Sequence, residues 1–167
     1  DPARLAADLL IEAEHGTDSS VGLLTTSAAL AEATDLELDR QIAQLPEIRA
    51  TAARASLGPN GGCVLVDDLA TAVSVANQYA PEHLQVAVAD HEVEIVVGGL
   101  INAGEILIGQ HTPFSAANFV LGCPASLPTS GFAHVSSGIT ADTFLKRTAV
   151  ARGKIELAQV PQAACRL

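Results

Sequence analysis

Two places in this 167-residue chain group side chains that can move protons or hold a metal. In "EAEH", Glu12 and His15 stand three residues apart, which on a helix puts both on one face. A carboxylate and an imidazole so placed can share one ion, and zinc, manganese and iron all accept that mixture. The same spacing also serves a plain wet helix face, and the di-metal bundle signature would need a second such motif, which is missing. In "YAPEHLQV", Glu82 and His83 are neighbours that can both transfer protons, the imidazole near neutrality. If the segment is a loop, both can reach one ligand; the alternative is that Pro81-Glu82 opens a helical turn, where a carboxylate suits the dipole. His111, in "GQHTP", follows a strand pattern and is either a site edge or a solvated loop residue. His91 and His134 carry no supporting pattern. Asn118 falls in a short helix where Asn is a poor former, which suits a polar role or a helix end. "LPTSG" is a turn marked by Pro and Gly with two hydroxyls.

These residues must be positioned by the elements around them. "PARLAADLLIEAEHG" has near-helical apolar spacing at Leu5, Leu9, Leu10 and Ala13, with Gly16 as a stop. "VGLLTT" reads as a strand. Ser27 caps a long helix through "LELDRQIAQL" that Pro46 interrupts, and the helical pattern then resumes to Ser56. "GPNGG" is a loop, "CVLVDD" a buried strand, and Asp68 caps the helix "LATAVSVANQYA". Then come a strand "LQVAVA", a helix around "EVEIVVGGLINAG", a strand "EILIG", and a short helix "TPFSAANFVLG" with Pro113 in its first turn. After the loop "CPASLPTSG" a last helix is expected over "TADTFLKRTA". Strands alternating with helices predict an α/β fold, a layered and mainly parallel sheet flanked by helices. Such sheets bind ligands beyond the carboxyl ends of their strands.

Composition narrows the function. Apolar residues make up 49% and charged ones 17%, which suits a packed domain and not a disordered chain. No apolar run reaches the ~20 residues of a membrane helix, and "DPARLAADLL" lacks a signal peptide's basic start, so a cytoplasmic protein is expected. With a net charge of −10 and nine scattered Lys and Arg, neither nucleic acid nor an anionic membrane is an expected partner. Cys63, Cys123 and Cys165 show no paired spacing and read as reduced thiols. No dinucleotide fingerprint, P-loop or nucleophile elbow is present.

The blocks "LLIEAEHGTDS", "VDDLATAVSVANQYAPEHLQV", "LINAGEILIGQHTP", "LPTSGFAHVSSGIT" and "FLKRTAV" resemble the histidinol dehydrogenase family, in its order and spacing, over roughly residues 1–150. Residues 151–167 diverge from it and form a separate tail. The resemblance implies one nucleotide-binding-like α/β unit and the active-site portion of a homodimeric enzyme. Such an enzyme oxidises L-histidinol, a small amino alcohol, to L-histidine in two NAD-dependent steps with zinc in the site. It further implies that His83 takes the alcohol proton and Glu82 activates water. Phe119 joins that pair against the substrate, and His15, Glu12 and Asn118 hold the metal.

Three departures from the family accompany it. Glu12 stands where the family has a glutamine ligand and Asn118 where it has an aspartate, so carboxylate and amide exchange places. Ala125 stands where the family has a substrate-holding histidine. A zinc-ligand histidine of the family's C-terminal helix has no counterpart after His134. Most NAD contacts are expected outside this chain, in an N-terminal half. The chain therefore reads as a C-terminal piece or a shortened relative, inactive alone and self-associating. A relative acting on a different alcohol, and a non-catalytic relative, are the alternatives.

Overall fold

The structure, a computed structural model, describes residues 1–152, without the side chain of Asn118. Residues 153–167, most of the tail expected to diverge, lie outside the described residues.

The first half is built on three helices. Helix α1 (Pro2–Ala13) starts at Asp1, whose carboxylate accepts from the Ala3 amide. Strand β1 (Gly22–Thr25) leads to α2 (Ala28–Ile42), where the expected Ser27 cap forms: its hydroxyl accepts from the Leu30 amide at 3.2 Å. Pro46 then separates α2 from α3 (Glu47–Leu57), as its missing amide requires. Leu10, Ala13, Ile42, Ala50 and Ala53 form a buried cluster, with Val21, Leu38, Leu45 and Leu57 packed against it. At about 1.5–3 kcal/mol for each large apolar side chain, this burial is what holds the three helices together. The hydroxyl of Ser56, fully buried, lies within 3.0 Å of the carbonyls of Ala13, Gly16 and Ala52 and ties α3 to the end of α1.

Strand β2 (Gly62–Leu65) pairs in parallel with β1, from Gly22↔Gly62 to Thr25↔Leu65. Asp68 caps α4 (Leu69–Tyr79), accepting from the Thr71 amide at 2.7 Å. The chain leaves α4 through Ala80 at φ 52°, a left-handed turn more usual for glycine. It passes directly into β3 (His83–Val86), then α5 (Val93–Gly99) and β4 (Glu105–Ile108). Strands β3 and β4 are parallel, with His83↔Glu105 and Val86↔Ile108 as the ends of the register. Helix α6 (Phe114–Phe119) follows, with Pro113 as its cap, one position earlier than the sequence suggests.

The α/β architecture with parallel strands is therefore present, carried by two separate two-stranded ladders, β1–β2 and β3–β4. Three local expectations are corrected. Strand β2 is largely exposed and not buried, with Val64 46% and Leu65 56% exposed. "TADTFLKRTA" forms only a short 3-10 turn at Ala141–Phe144, and Leu145 leaves it in an extended conformation. The expected α5 ends at Gly99, because Asn77 on α4 captures the following backbone: its side-chain Oδ1 accepts from the Ile101 amide at 2.8 Å.

Candidate functional site

Helix α1 brings the site together. Its apolar side enters the core, while Arg4, Asp8 and Glu12, four residues apart, form a polar stripe facing β3 and the end of β4. Arg4 donates to the Gln110 carbonyl and to His111 Nδ1, Asp8 lies beside Gln85, and Glu12 Oε2 is 4.0 Å from His83 Nδ1. One helix face thus lies along one strand pair.

At its C-terminal end the stripe meets the proton-moving residues. The Glu82-His83 segment is not a helical turn: Glu82 lies in the bend that precedes β3, and His83 is the first residue of the strand. Glu82, just outside the strand and free of its alternation, puts Oε1 4.0 Å from His83 Nδ1. His15 Nδ1 lies 3.7 Å from Glu12 Oε2. Glu12, His15, Glu82 and His83 therefore share one neighbourhood. Their exposures grade from His83, 12% exposed, through Glu12 at 26% and Glu82 at 37%, to His15 at 62%. Burial holds the Glu82 carboxyl above its ordinary range. His83 pulls it down, Glu12 and Glu105 push it up, and His15 pulls it down again.

Two residues of this cluster carry no signal in the motif reading. Glu105 opens β4 directly opposite His83, and its side chain is 4% exposed. Its Oε1 stands 3.5 Å from His83 Nε2 without forming a hydrogen bond. The ring of Phe114, on α6, meets the imidazole edge-on, with centroids 5.4 Å apart. A single carboxylate in the otherwise apolar "EILIG" is the signal that could have flagged Glu105, since a buried strand gives it no water.

Other candidates lie apart. His111 pairs with Arg4 at the far end of the stripe. A hollow of about 110 Å³ opens there between Arg4, Asp8, Gln85 and Gln110, and none of the proton-moving residues lines it. His134 is structural: Asn102 Nδ2 lies 2.9 Å from its Nδ1, and its Nε2 lies 3.2 Å from the Gln78 carbonyl. The "LPTSG" loop does approach the site, since Pro128 packs near Gly104, whose neighbour is Glu105. Phe119 ends α6 with 86% of its surface exposed; the side chain of Asn118 lies outside the described residues.

The 3.7 Å between Glu12 and His15 is close to the ~3.4 Å edge of a tetrahedral zinc site with ordinary bond lengths. The pair fits two of four positions. Among the described residues no group of three His, Cys, Asp or Glu side chains converges to complete them.

The family model described as histidinol dehydrogenase matches residues 1–167. A histidinol dehydrogenase of Synechocystis sp. is 47% identical over 151 residues, 90% of this chain and 34% of that protein. A "histidinol dehydrogenase homolog 2" of Mesorhizobium japonicum is 42% identical over 165 residues, 98% of this chain and 37% of that one. The crystal structure of histidinol dehydrogenase from Elizabethkingia anophelis superposes with a TM-score of 0.81 at 35% identity, covering 87% of this chain and 33% of that one. The chain spans about a third of the length of the curated relatives it matches.

Proposed function

The chain belongs to the histidinol dehydrogenase family, and from that premise we propose that it forms the active-site portion of an NAD-dependent oxidoreductase converting L-histidinol to L-histidine, within histidine biosynthesis. The observation that carries this reading is the meeting of His83, Glu82 and Glu12 within 4.0 Å contacts at the start of β3.

In the first oxidation the alcohol O–H proton passes to the His83 imidazole while the carbinol C–H leaves as hydride to NAD, giving the aldehyde. In the second, water adds to that carbonyl as Glu82 takes its proton, and a second hydride leaves to a second NAD, giving the carboxylate. A carboxyl lifted above its ordinary range is the better base for this work near neutrality. Zinc belongs to the same proposal, with Glu12 and His15 as two of its ligands; when bound it would polarise the alcohol oxygen as a Lewis acid. Asn118 would be a further ligand and Phe119 a wall against the substrate. The NAD contacts would come mainly from the two-thirds of the family's length that this chain does not span, and the whole would work as a homodimer. A different amino alcohol is the second reading, favoured by Ala125 at the position of the family's substrate-holding histidine.

The test is NADH formation from L-histidinol by the full-length protein carrying this chain. Glu82→Gln and His83→Asn should each lower kcat by about 10²–10⁴ with an unchanged far-ultraviolet circular dichroism spectrum. Variants that keep wild-type turnover would refute the assigned roles, and a wild-type protein that refuses histidinol but oxidises another amino alcohol would establish the second reading.

A further inference from the structure

Glu105 has no role in the chemistry above, yet it occupies a position that needs one. Among the described residues, both its carboxylate oxygens and His83 Nε2 are buried and lack a hydrogen-bond partner of normal geometry. Removing a carboxylate from water costs several kcal/mol unless a partner offsets it. The three orphaned atoms belong to two side chains that face each other across 3.5 Å. The register fixes them there: His83 and Glu105 are paired residues of adjacent parallel strands, and both side chains stand on the same face.

The imidazole has two different sides. Nδ1 looks toward Glu82 and Glu12, each 4.0 Å away and each partly exposed. Nε2 looks inward at Glu105, 3.5 Å away. The other neighbour of Glu105 is the Cys123 thiol, pushed up by burial, then by the Glu105 charge and a side-chain hydrogen bond with that carboxylate; a thiol is a weak donor and leaves the carboxylate able to accept from an imidazole N–H. A neutral imidazole carries one ring proton, and the partner of one nitrogen decides the role of the other. A buried carboxylate can only accept, so it selects the ring form with the proton on Nε2 and leaves Nδ1 as the lone-pair base on the open side.

We propose that Glu105 is the positioning residue of His83: it receives the Nε2–H, fixes that tautomer and ring orientation, and directs the basic Nδ1 toward the alcohol site shared with Glu82 and Glu12. When Nδ1 takes the alcohol proton, the resulting imidazolium keeps its Nε2–H on Glu105, so the charge that develops is met by a carboxylate already in place. The edge of Phe114 limits rotation of the ring on its remaining side. The inference rests on the proposed function only for the identity of the proton that Nδ1 accepts.

The test uses the full-length protein with nitrogen-15-labelled histidine. In the wild type, the neutral His83 ring should show a protonated Nε2 and an unprotonated Nδ1. In Glu105→Leu the same ring should show both tautomers, and in Glu105→Asp the wild-type tautomer should return in part. Turnover should fall about 10- to 100-fold in Glu105→Leu, the usual loss when the partner that orients a site histidine is removed, with KM for the alcohol within about twofold. A wild-type ring protonated at Nδ1, or an unchanged tautomer in Glu105→Leu, would overturn the proposal. The wild-type spectrum alone decides the first point should the leucine variant fail to fold. Failure of the wild type to oxidise histidinol, with the Nε2–H tautomer present, would sink the proposed substrate and leave the positioning role standing.

Discussion

Asp8 and Glu82 are both carboxyls that burial raises above their ordinary range, but only Asp8 stands clear of the proton-moving cluster. Its desolvation outweighs the opposing pull of the Gln85 hydrogen bond and the Arg4 charge. The sign of the consequence follows from proton counts. Between its ordinary value of 3.8 and the raised one, the folded chain holds more protons at Asp8 than the unfolded chain does. Stability therefore falls as pH rises through that window and stays lower above it. Asp8→Asn removes the titration and keeps a polar group for Gln85. The variant should melt with the wild type at pH below the window and above it at neutral pH, in thermal denaturation followed across a pH series. A gap between the two that does not change with pH would contradict this account. Glu82 is raised by the same physics, and under the proposed mechanism its higher proton affinity would serve a base instead of merely weakening the fold.

At the scale of elements, the site is the meeting of the start of β3, the start of β4 and the end of α1. The approach of β4 to β3 is close. A methyl group at Gly104 would lie 2.5 Å from the Glu82 carbonyl oxygen and 3.2 Å from Pro128. That carbonyl accepts the Glu105 amide at 2.9 Å, so the strands cannot part without disturbing the His83–Glu105 register. Gly104→Ala should destabilise by about 1–3 kcal/mol, the usual penalty of overpacking, and lower activity as well. Gly98, inside α5, has open space where its side chain would go. Gly98→Ala should be neutral or stabilise by about 0.5–1 kcal/mol. Denaturant midpoints of the two variants check both, and equal shifts would refute the close-approach argument. The elements themselves were legible because their signals are local. Ser27 and Asp68 cap their helices as expected, and Pro46 divides two of them. Strand register is not local: nothing in "PEHLQV" or "GEILIG" alone says that His83 meets Glu105, so the buried carboxylate passed unremarked while the adjacent Glu82-His83 pair stood out. The last helix was misread because "TADTFLKRTA" supplies a cap at Thr140 but, along the described chain, no buried face to pack, and a short helix without packing does not hold.

At the scale of the whole molecule, the last third is far wetter than its composition warrants. Phe119, Val120 and Leu121 are a run of exposed apolar residues, and Phe132, Val135, Phe144 and Leu145 are each more than half exposed. Large apolar side chains gathered in this way mark surface that another polypeptide covers. The sequence shows the residues but not their exposure, since a helix there would have buried some of them. Against association stands the net charge of −10, which makes copies of the chain repel one another. The two forces depend differently on salt: screening shortens the reach of the repulsion to about 8–10 Å at 0.1–0.15 M and about 3 Å at 1 M, while burial of apolar surface keeps its drive. Prepared alone, the 167-residue chain should therefore self-associate, with a sedimentation-derived mass that rises with concentration and rises further when salt is added. Phe132→Asp together with Val135→Asp should lower that mass by placing charge in the surface without touching the His83 cluster. An isolated chain that stays monomeric at every concentration and salt level would mean that this apolar surface closes on itself in solution.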